Sequence, residues 1–323
     1  MEALIVIFLL LVGFVLLLKG ADYFVEGASS IAKILKVPSI IIGLTIVAMG
    51  TSLPELAVSV TASLSNNNAL AVSNVIGSNL FNLMVVLGLS AFMNPIIVGK
   101  ETIKKDYPFS VFCAVLLLAL GIIEMELGRV DGIIFLVIFV SFILYQIFSA
   151  FKARKANTFE EEVLTEVDEI KEVPFWLSVI FVVGGAVAIK FGGDFVVNSA
   201  VAIASALGLS QTLIGLTIVA LGTSLPELAT SVVAAKKGEL DMAVGNVVGS
   251  NVFNILMILG VAATLSPIAF LTENIIDIGI LLTFSVITWI MCWTRGKLDK
   301  REGFIMVALY VGYVVYICVR AMA

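Results

Sequence analysis

Gly43-Leu-Thr-Ile-Val-Ala-Met-Gly-Thr-Ser-Leu-Pro-Glu55 recurs as Gly215-Leu-Thr-Ile-Val-Ala-Leu-Gly-Thr-Ser-Leu-Pro-Glu227, with Met49 against Leu221 the only difference. Each copy sets a glutamate directly after a proline inside an apolar segment. A charge at membrane depth is expensive and marks an ion or substrate pathway. The proline removes a backbone donor and frees the carbonyl four residues back, at Gly50 and at Gly222. A carboxylate beside unpaired carbonyl oxygens is what a dehydrating metal cation requires. The repeat is longer than this stretch: residues 43–88 and 215–260 align at a constant offset of 172 with 28 identities in 46 positions.

The surrounding chain belongs in a bilayer. Of its 323 residues 60% are hydrophobic and only 13% charged, about half the charge density of a soluble domain. Mean hydropathy is +1.14. Ten apolar spans are expected, at 3–32, 38–64, 69–95, 107–124, 130–150, 174–204, 211–235, 240–267, 274–294 and 302–320. The first run, Leu4 to Leu18, has the length of a signal peptide but no basic start and no small-residue cleavage site, so it reads as a membrane span. Residues 151–173 are rich in Glu and Asp and read as a solvated cytoplasmic linker, with a regulatory calcium site as the alternative. Three regions follow: a first membrane repeat over 1–150, the acidic linker over 151–173 and a second repeat over 174–323. Five spans, an odd number, separate the two copies, so they enter the membrane from opposite sides. The expected fold class is therefore an all-α membrane protein of ten transmembrane helices in two inverted five-helix repeats, an arrangement common in secondary transporters. Fifteen of the 19 Lys and Arg residues fall on the side of the linker, which puts both termini outside the cytoplasm and places the chain in the cell membrane. Cys113, Cys292 and Cys318 lie in apolar runs and read as buried structural thiols. With no histidine in the chain, the usual proton relay and transition-metal ligand are missing.

Helical spacing collects the polar residues into stripes. Ser52, Glu55 and Ser59 share a face, as do Ser224, Glu227 and Ser231. Asn74, Ser78 and Asn82 form a second stripe, repeated by Asn246, Ser250 and Asn254. Gly77 and Gly249 beside these stripes would admit close helix approach. Thr51 and Thr223 sit at the proline-frayed turns, where their carbonyls can turn inward. Plainer readings exist for each feature. Ser and Asn serve as interhelical glue, Thr-Ser-Leu-Pro can be a kink, and a buried Glu can pair with Lys19 or Lys190. Asp22, Glu26 and Asp194 either pair structurally or line an entry funnel. Repetition of the whole polar set favours function over packing. Two carboxylates, carbonyls, hydroxyls and amides make an all-oxygen cage suited to Ca²⁺, or to Na⁺, and less to Mg²⁺, which dehydrates reluctantly. Two ionised glutamates are neutralised by one Ca²⁺ or by two Na⁺. An empty charged site in a low-dielectric interior is costly, which favours exchange over leak.

The paired Gly-Thr-Ser-Leu-Pro-Glu segments, followed by Gly77-Ser-Asn-Leu-Phe-Asn82 and Gly249-Ser-Asn-Val-Phe-Asn254, resemble the alpha repeats of the calcium/cation antiporter superfamily, in particular its prokaryotic sodium/calcium exchanger branch. The resemblance implies that spans 1 and 6 slide past a rigid core. It implies Ca²⁺ on Glu55 and Glu227 with the carbonyls of Thr51 and Thr223. Sodium is then expected at positions lined by Ser52, Ser78, Ser224 and Ser250 and the carbonyls of Ala48 and Ala220. One departure matters: Asn82 and Asn254 stand where studied exchangers pair an asparagine with an aspartate, so one negative charge is missing. The implied activity is Ca²⁺/Na⁺ antiport by alternating access, driving Ca²⁺ efflux. A Ca²⁺/H⁺ antiporter and a K⁺-dependent Na⁺/Ca²⁺ exchanger are the alternatives, and a cation channel is a more distant one. No nucleophile–base set or nucleotide loop suggests an enzyme, and no cofactor, nucleic-acid partner or obligatory protein partner is expected beyond the lipid bilayer.

Overall fold

The computed structural model describes residues 2–64, 69–155, 173–208 and 220–322. The acidic residues expected to form the linker, Glu160 to Glu172, lie outside the described residues, as does the first part of the seventh expected span, 211–219. Among the described residues the chain runs as α1 (Glu2–Leu35), α2 (Ser39–Thr51), α3 (Leu53–Leu64), α4 (69–93), α5 (Thr102–Glu124), α6 (Arg129–Lys155), α7 (Phe175–Ala206), a single turn at Ala220–Gly222, α8 (Leu225–Lys236), α9 (Leu240–Leu265), α10 (Thr272–Arg295) and α11 (Lys300–Met322). Among the described residues eight helices are long and apolar enough to cross a membrane, and α2 with α3 forms a ninth candidate bent by 45°. Exposed apolar side chains cover the outer helices, from Phe8 and Leu11 on α1 to Phe304 and Val315 on α11. An apolar surface of that extent belongs against lipid. This is a multi-pass membrane protein.

Burial sorts the helices into two classes. The most apolar windows of α4 and α9 are each 83% buried, whereas those of α1, α5, α6, α7, α10 and α11 are between 22% and 33% buried. The polar repeat helices are thus the interior, inside a lipid-facing shell. Four two-residue strands tie the halves together. The pair β1 (Ile96–Ile97) and β4 (Lys297–Leu298) is matched by β2 (Glu126–Leu127) and β3 (Ile268–Ala269). Their registers are reciprocal: Ile96 opposes Leu298 and Ile268 opposes Leu127. Asp299 starts α11 by accepting hydrogen bonds from the Arg301 and Glu302 amides at 2.9 and 3.2 Å. Those backbone donors hold its carboxyl below the usual carboxylate range.

Helices α1 and α7 pack as a pair on the outside. Gly13, Gly20 and Gly27 face α7 at intervals of seven residues, and Gly185 and Gly192 face back. A Cβ at Gly20 would lie 2.9 Å from Ile189 N, and one at Gly185 would lie 2.8 Å from Gly20 O. Backbone meets backbone along this seam, which is how small residues join helices where no hydrophobic effect can. Five charged residues of the pair, Lys19, Asp22, Glu26, Lys190 and Asp194, are engaged. Lys19 lies 3.6 Å from Asp22 and Lys190 lies 2.6 Å from Asp194. Lys237, at the end of α8, donates to Asp22 O at 2.8 Å and lies 4.0 Å from Glu26. Of the two readings open for Asp22, Glu26 and Asp194, pairing is the one observed. Lys19 and Lys190 are therefore not partners of Glu55 and Glu227. Gly77 corrects another expectation: a Cβ there would meet nothing within 4 Å, while one at Gly249 would lie 2.7 Å from Leu44. Close approach is real only in the second repeat.

Gly20→Leu should lower the thermal midpoint of the detergent-solubilised protein, at a cost of about 1–3 kcal/mol for overpacking. Gly184→Leu, one residue from the seam with nothing within 4 Å, should leave it unchanged.

Candidate functional site

The proline in each repeat does what backbone chemistry demands of it. Pro54 and Pro226 each sit in the first turn of a new helix, where a missing N–H costs nothing. The residue at each junction leaves helical geometry, Ser52 with φ −86° and ψ 8° and Ser224 with φ −93° and ψ 7°. The helix axis therefore breaks just before the glutamate. Glu55 and Glu227 lie in the first turns of α3 and α8, where the positive end of the helix dipole favours an anion.

Both carboxylates are fully buried. They are bound to each other's repeat. Ser52 donates to Glu227 Oε1 at 2.8 Å and Ser224 donates to Glu55 Oε1 at 3.1 Å. These two serines lie beside their own glutamates in sequence, but each hydroxyl crosses to the opposite copy. The second oxygens, Glu55 Oε2 and Glu227 Oε2, have no hydrogen-bond partner. Ser78 Oγ, Thr223 Oγ1, Asn254 Oδ1 and both polar atoms of Asn82 are likewise buried without one. Unsatisfied buried polar atoms are rare in folded proteins and each costs about 1–3 kcal/mol. Here they are concentrated in the repeat motifs, with two carboxylates among them.

The remaining polar residues form the frame. The Thr51 hydroxyl lies 3.1 Å from both Val47 O and Asn246 Oδ1. Asn246 donates to Ser231 Oγ at 2.8 Å, and Asn74 donates to Ser59 Oγ at 3.2 Å. Ser250 lies 3.5 Å from Asn246 Oδ1. The Ala48 carbonyl accepts the Ser52 amide at 3.1 Å, and Ala220 opens the short turn before the second junction. Asn82 and Asn254 each begin a π-helical turn, 82–86 and 254–259. Such turns are rare and cluster at functional sites, because they shift a backbone carbonyl out of the α ladder.

Two residues that carried no role in the sequence reading prove central. Asn79 donates to Asn251 O at 3.2 Å and Asn251 donates to Asn79 O at 3.3 Å. Asn254 Nδ2 adds a bond to Asn79 Oδ1 at 3.0 Å. This clasp joins α4 to α9 at the middle of the protein. Both asparagines stand in the repeated Gly-Ser-Asn motif, so their identity in the two copies was the available signal. Among the described residues no group of three or more His, Cys, Asp or Glu side chains could hold a metal. The two carboxylates stand among neutral polar groups.

Asn79→Ala and Asn251→Ala should each destabilise the protein by about 0.5–1.5 kcal/mol, through the buried hydrogen bond to the opposite helix that each removes. The double variant should cost less than the sum, since the two bonds form one clasp. Chemical denaturation in detergent measures all three.

Residues 5–148 and 177–319 match the model of the family described as sodium/calcium exchanger protein. CaxA of Alkalimonas amylolytica is 39% identical over 313 residues, covering 94% of this chain and 95% of that protein. Inner membrane protein YrbG of Escherichia coli is 34% identical over 319 residues, covering 96% and 94%. Sodium/calcium exchanger MaX1 of Methanosarcina acetivorans is 31% identical over 345 residues, covering 95% and 97%. A solved structure of the sodium-calcium exchanger NCX_Mj, soaked with 2.5 mM Na⁺ and 0.1 mM Ca²⁺, superposes with a TM-score of 0.82 at 30% identity, covering 96% of this chain and 98% of that one. With both halves of its length matched, and with relatives that span it almost end to end, the chain belongs to the sodium/calcium exchanger family.

Proposed function

We propose that this protein is a Ca²⁺/Na⁺ antiporter whose ions bind between Glu55 and Glu227 and cross by alternating access. The observation that carries the reading is the reciprocal carboxylate pair. Each glutamate has one oxygen held by a serine of the other repeat and one oxygen with no partner. An uncompensated buried carboxylate costs several kcal/mol, and two together cost more. A divalent cation between them offsets both charges, and two monovalent cations do the same. The ligand set is Glu55 and Glu227 with the carbonyls of Thr51 and Thr223 for Ca²⁺. Ser52, Ser78, Ser224 and Ser250, the amides of Asn82 and Asn254 and the carbonyls of Ala48 and Ala220 supply the overlapping sodium positions.

The architecture in this reading is ten spans in two inverted five-helix halves. The basic residues set both termini outside and the acidic linker in the cytoplasm of the cell membrane. The glycine seam makes α1 and α7 one body, which moves against the buried core of α2, α4, α8 and α9. Calcium leaves the cell as sodium enters. Proton coupling is the second reading, and one observation favours weighing it: neither glutamate has a basic partner within the site, so a proton can also discharge it.

In proteoliposomes, Glu55→Gln and Glu227→Gln should each abolish sodium-driven uptake of radiolabelled Ca²⁺ while leaving the protein folded and inserted. Uptake under a sodium gradient at clamped pH, with none under a pH gradient lacking sodium, establishes sodium as the coupling ion. The reverse result establishes the proton. Retained sodium-dependent flux in either glutamine variant overturns the site.

A further inference from the structure

Outside the ion site the two halves differ at a pair of corresponding acids, the half-buried Asp106 and the buried Asp277. The repeat offset is 172 at the strands Ile96 and Ile268 but 171 at Glu126 and Lys297. The extra residue of the first half is absorbed by the π-helical turn Thr102–Asp106 at the start of α5, since α10 has no such turn. With that correction Asp106 corresponds to Asp277, Phe142 to Tyr313, Tyr145 to Tyr316 and Ser149 to Arg320. In the second half the acid has its own cation. Arg320 donates to both oxygens of Asp277 at 2.9 Å, and its guanidinium lies 5.3 Å from the centre of the Tyr316 ring.

In the first half Ser149 cannot reach across, and the space is a cavity of about 370 Å³. Asp106, Phe109, Phe142, Tyr145 and Gln146 line it, with Lys105 at the rim. Phe109 and Phe142 stack at 5.0 Å. Asp106 accepts a long 3.3 Å hydrogen bond from Gln146 Nε2, and Lys105 is paired with Glu101. A carboxylate walled by aromatic rings is a receptor for an ammonium group. The exposed neighbours on the same two helices, Phe112, Val140, Leu144 and Phe148, are apolar and belong against acyl chains. Lys104, Lys105 and Lys152 gather at this end of α5 and α6, the level of lipid headgroups.

We propose that the cavity between α5 and α6 binds an aminophospholipid, whose primary ammonium occupies on Asp106 and Tyr145 the place that Arg320 fills in the other half. The lipid supplies to the first half the cation that the second half carries in its own chain. A primary amine fits better than a quaternary one, because it donates hydrogen bonds to the Asp106 carboxylate.

The test is lipid retention. The full chain is reconstituted in nanodiscs of equal phosphatidylethanolamine and phosphatidylglycerol, extracted in mild detergent and weighed by native mass spectrometry. The wild type should retain phosphatidylethanolamine over phosphatidylglycerol by about tenfold. Asp106→Asn should erase the preference. Ser149→Arg should erase it too, by rebuilding the internal ion pair, with a thermal midpoint no lower than the wild type. Should Asp106→Asn fail to fold, Ser149→Arg alone decides. Glycerophosphoethanolamine, the same headgroup without chains, should fail to displace the lipid at equal concentration. Equal retention of the two lipids by the wild type, a preference that survives Ser149→Arg, or displacement by the soluble headgroup would each overturn the proposal.

Discussion

Two carboxylates at zero exposure, with no arginine or lysine on either among the described residues, set the terms for this structure. Charge in a low-dielectric interior must be paired, protonated or matched by a cation. The fold divides each glutamate between two tasks. One oxygen is spent on a serine of the opposite repeat, which holds the two halves in register. The other is kept free of protein donors. A fully satisfied pair would be a structural link and nothing more. A wholly unsatisfied pair would have no defined position. The split gives each carboxylate a defined position and leaves one of its oxygens without a hydrogen-bond partner.

The same economy appears in how the helices are joined. Lipid tails offer no hydrophobic drive between helices, so the interior relies on crossed amides and the outer pair on glycines. The Asn79–Asn251 clasp and the glycine seam between α1 and α7 serve different purposes. Hydrogen bonds at the centre fix α4 against α9 with angular precision. The glycine seam joins α1 to α7 backbone to backbone, while charged contacts such as Lys237 with Asp22 and Glu26 link that pair to the core at its edge. The outer pair is thus joined to the core through half-buried ion pairs, and the core to itself through crossed amides.

Duplication did not leave the halves equal. Asn82 has neither side-chain atom bonded while Asn254 is tied to Asn79. Gly249 is packed against Leu44 while Gly77 faces open space. Asp277 is bound to Arg320 while Asp106 borders a cavity. Each difference is small in sequence, one residue or none, yet each changes what a position can bind.

The repeat itself was legible without coordinates. An identical Thr-Ser-Leu-Pro-Glu in two apolar runs announces a broken helix and a buried charge, because proline and glutamate obey the same chemistry in any membrane. Helix periodicity placed Ser59 and Ser231 on one set of polar stripes and Asn74 and Asn246 on another, and the structure joins Asn74 to Ser59 and Asn246 to Ser231. What one dimension could not supply was the partner across the repeats. Ser52 lies three residues from Glu55 yet serves Glu227, about 175 positions away along the chain. The choice between those two glutamates depends on how α3 and α8 are docked, which local spacing does not encode. The role of Asn79 and Asn251 was hidden for the same reason, as was the pairing of Asp22 and Glu26 with Lys237. Sequence determined which residues are polar inside the membrane and where the helices break; only the packing of the two halves decided which of those polar atoms are satisfied and which have no partner.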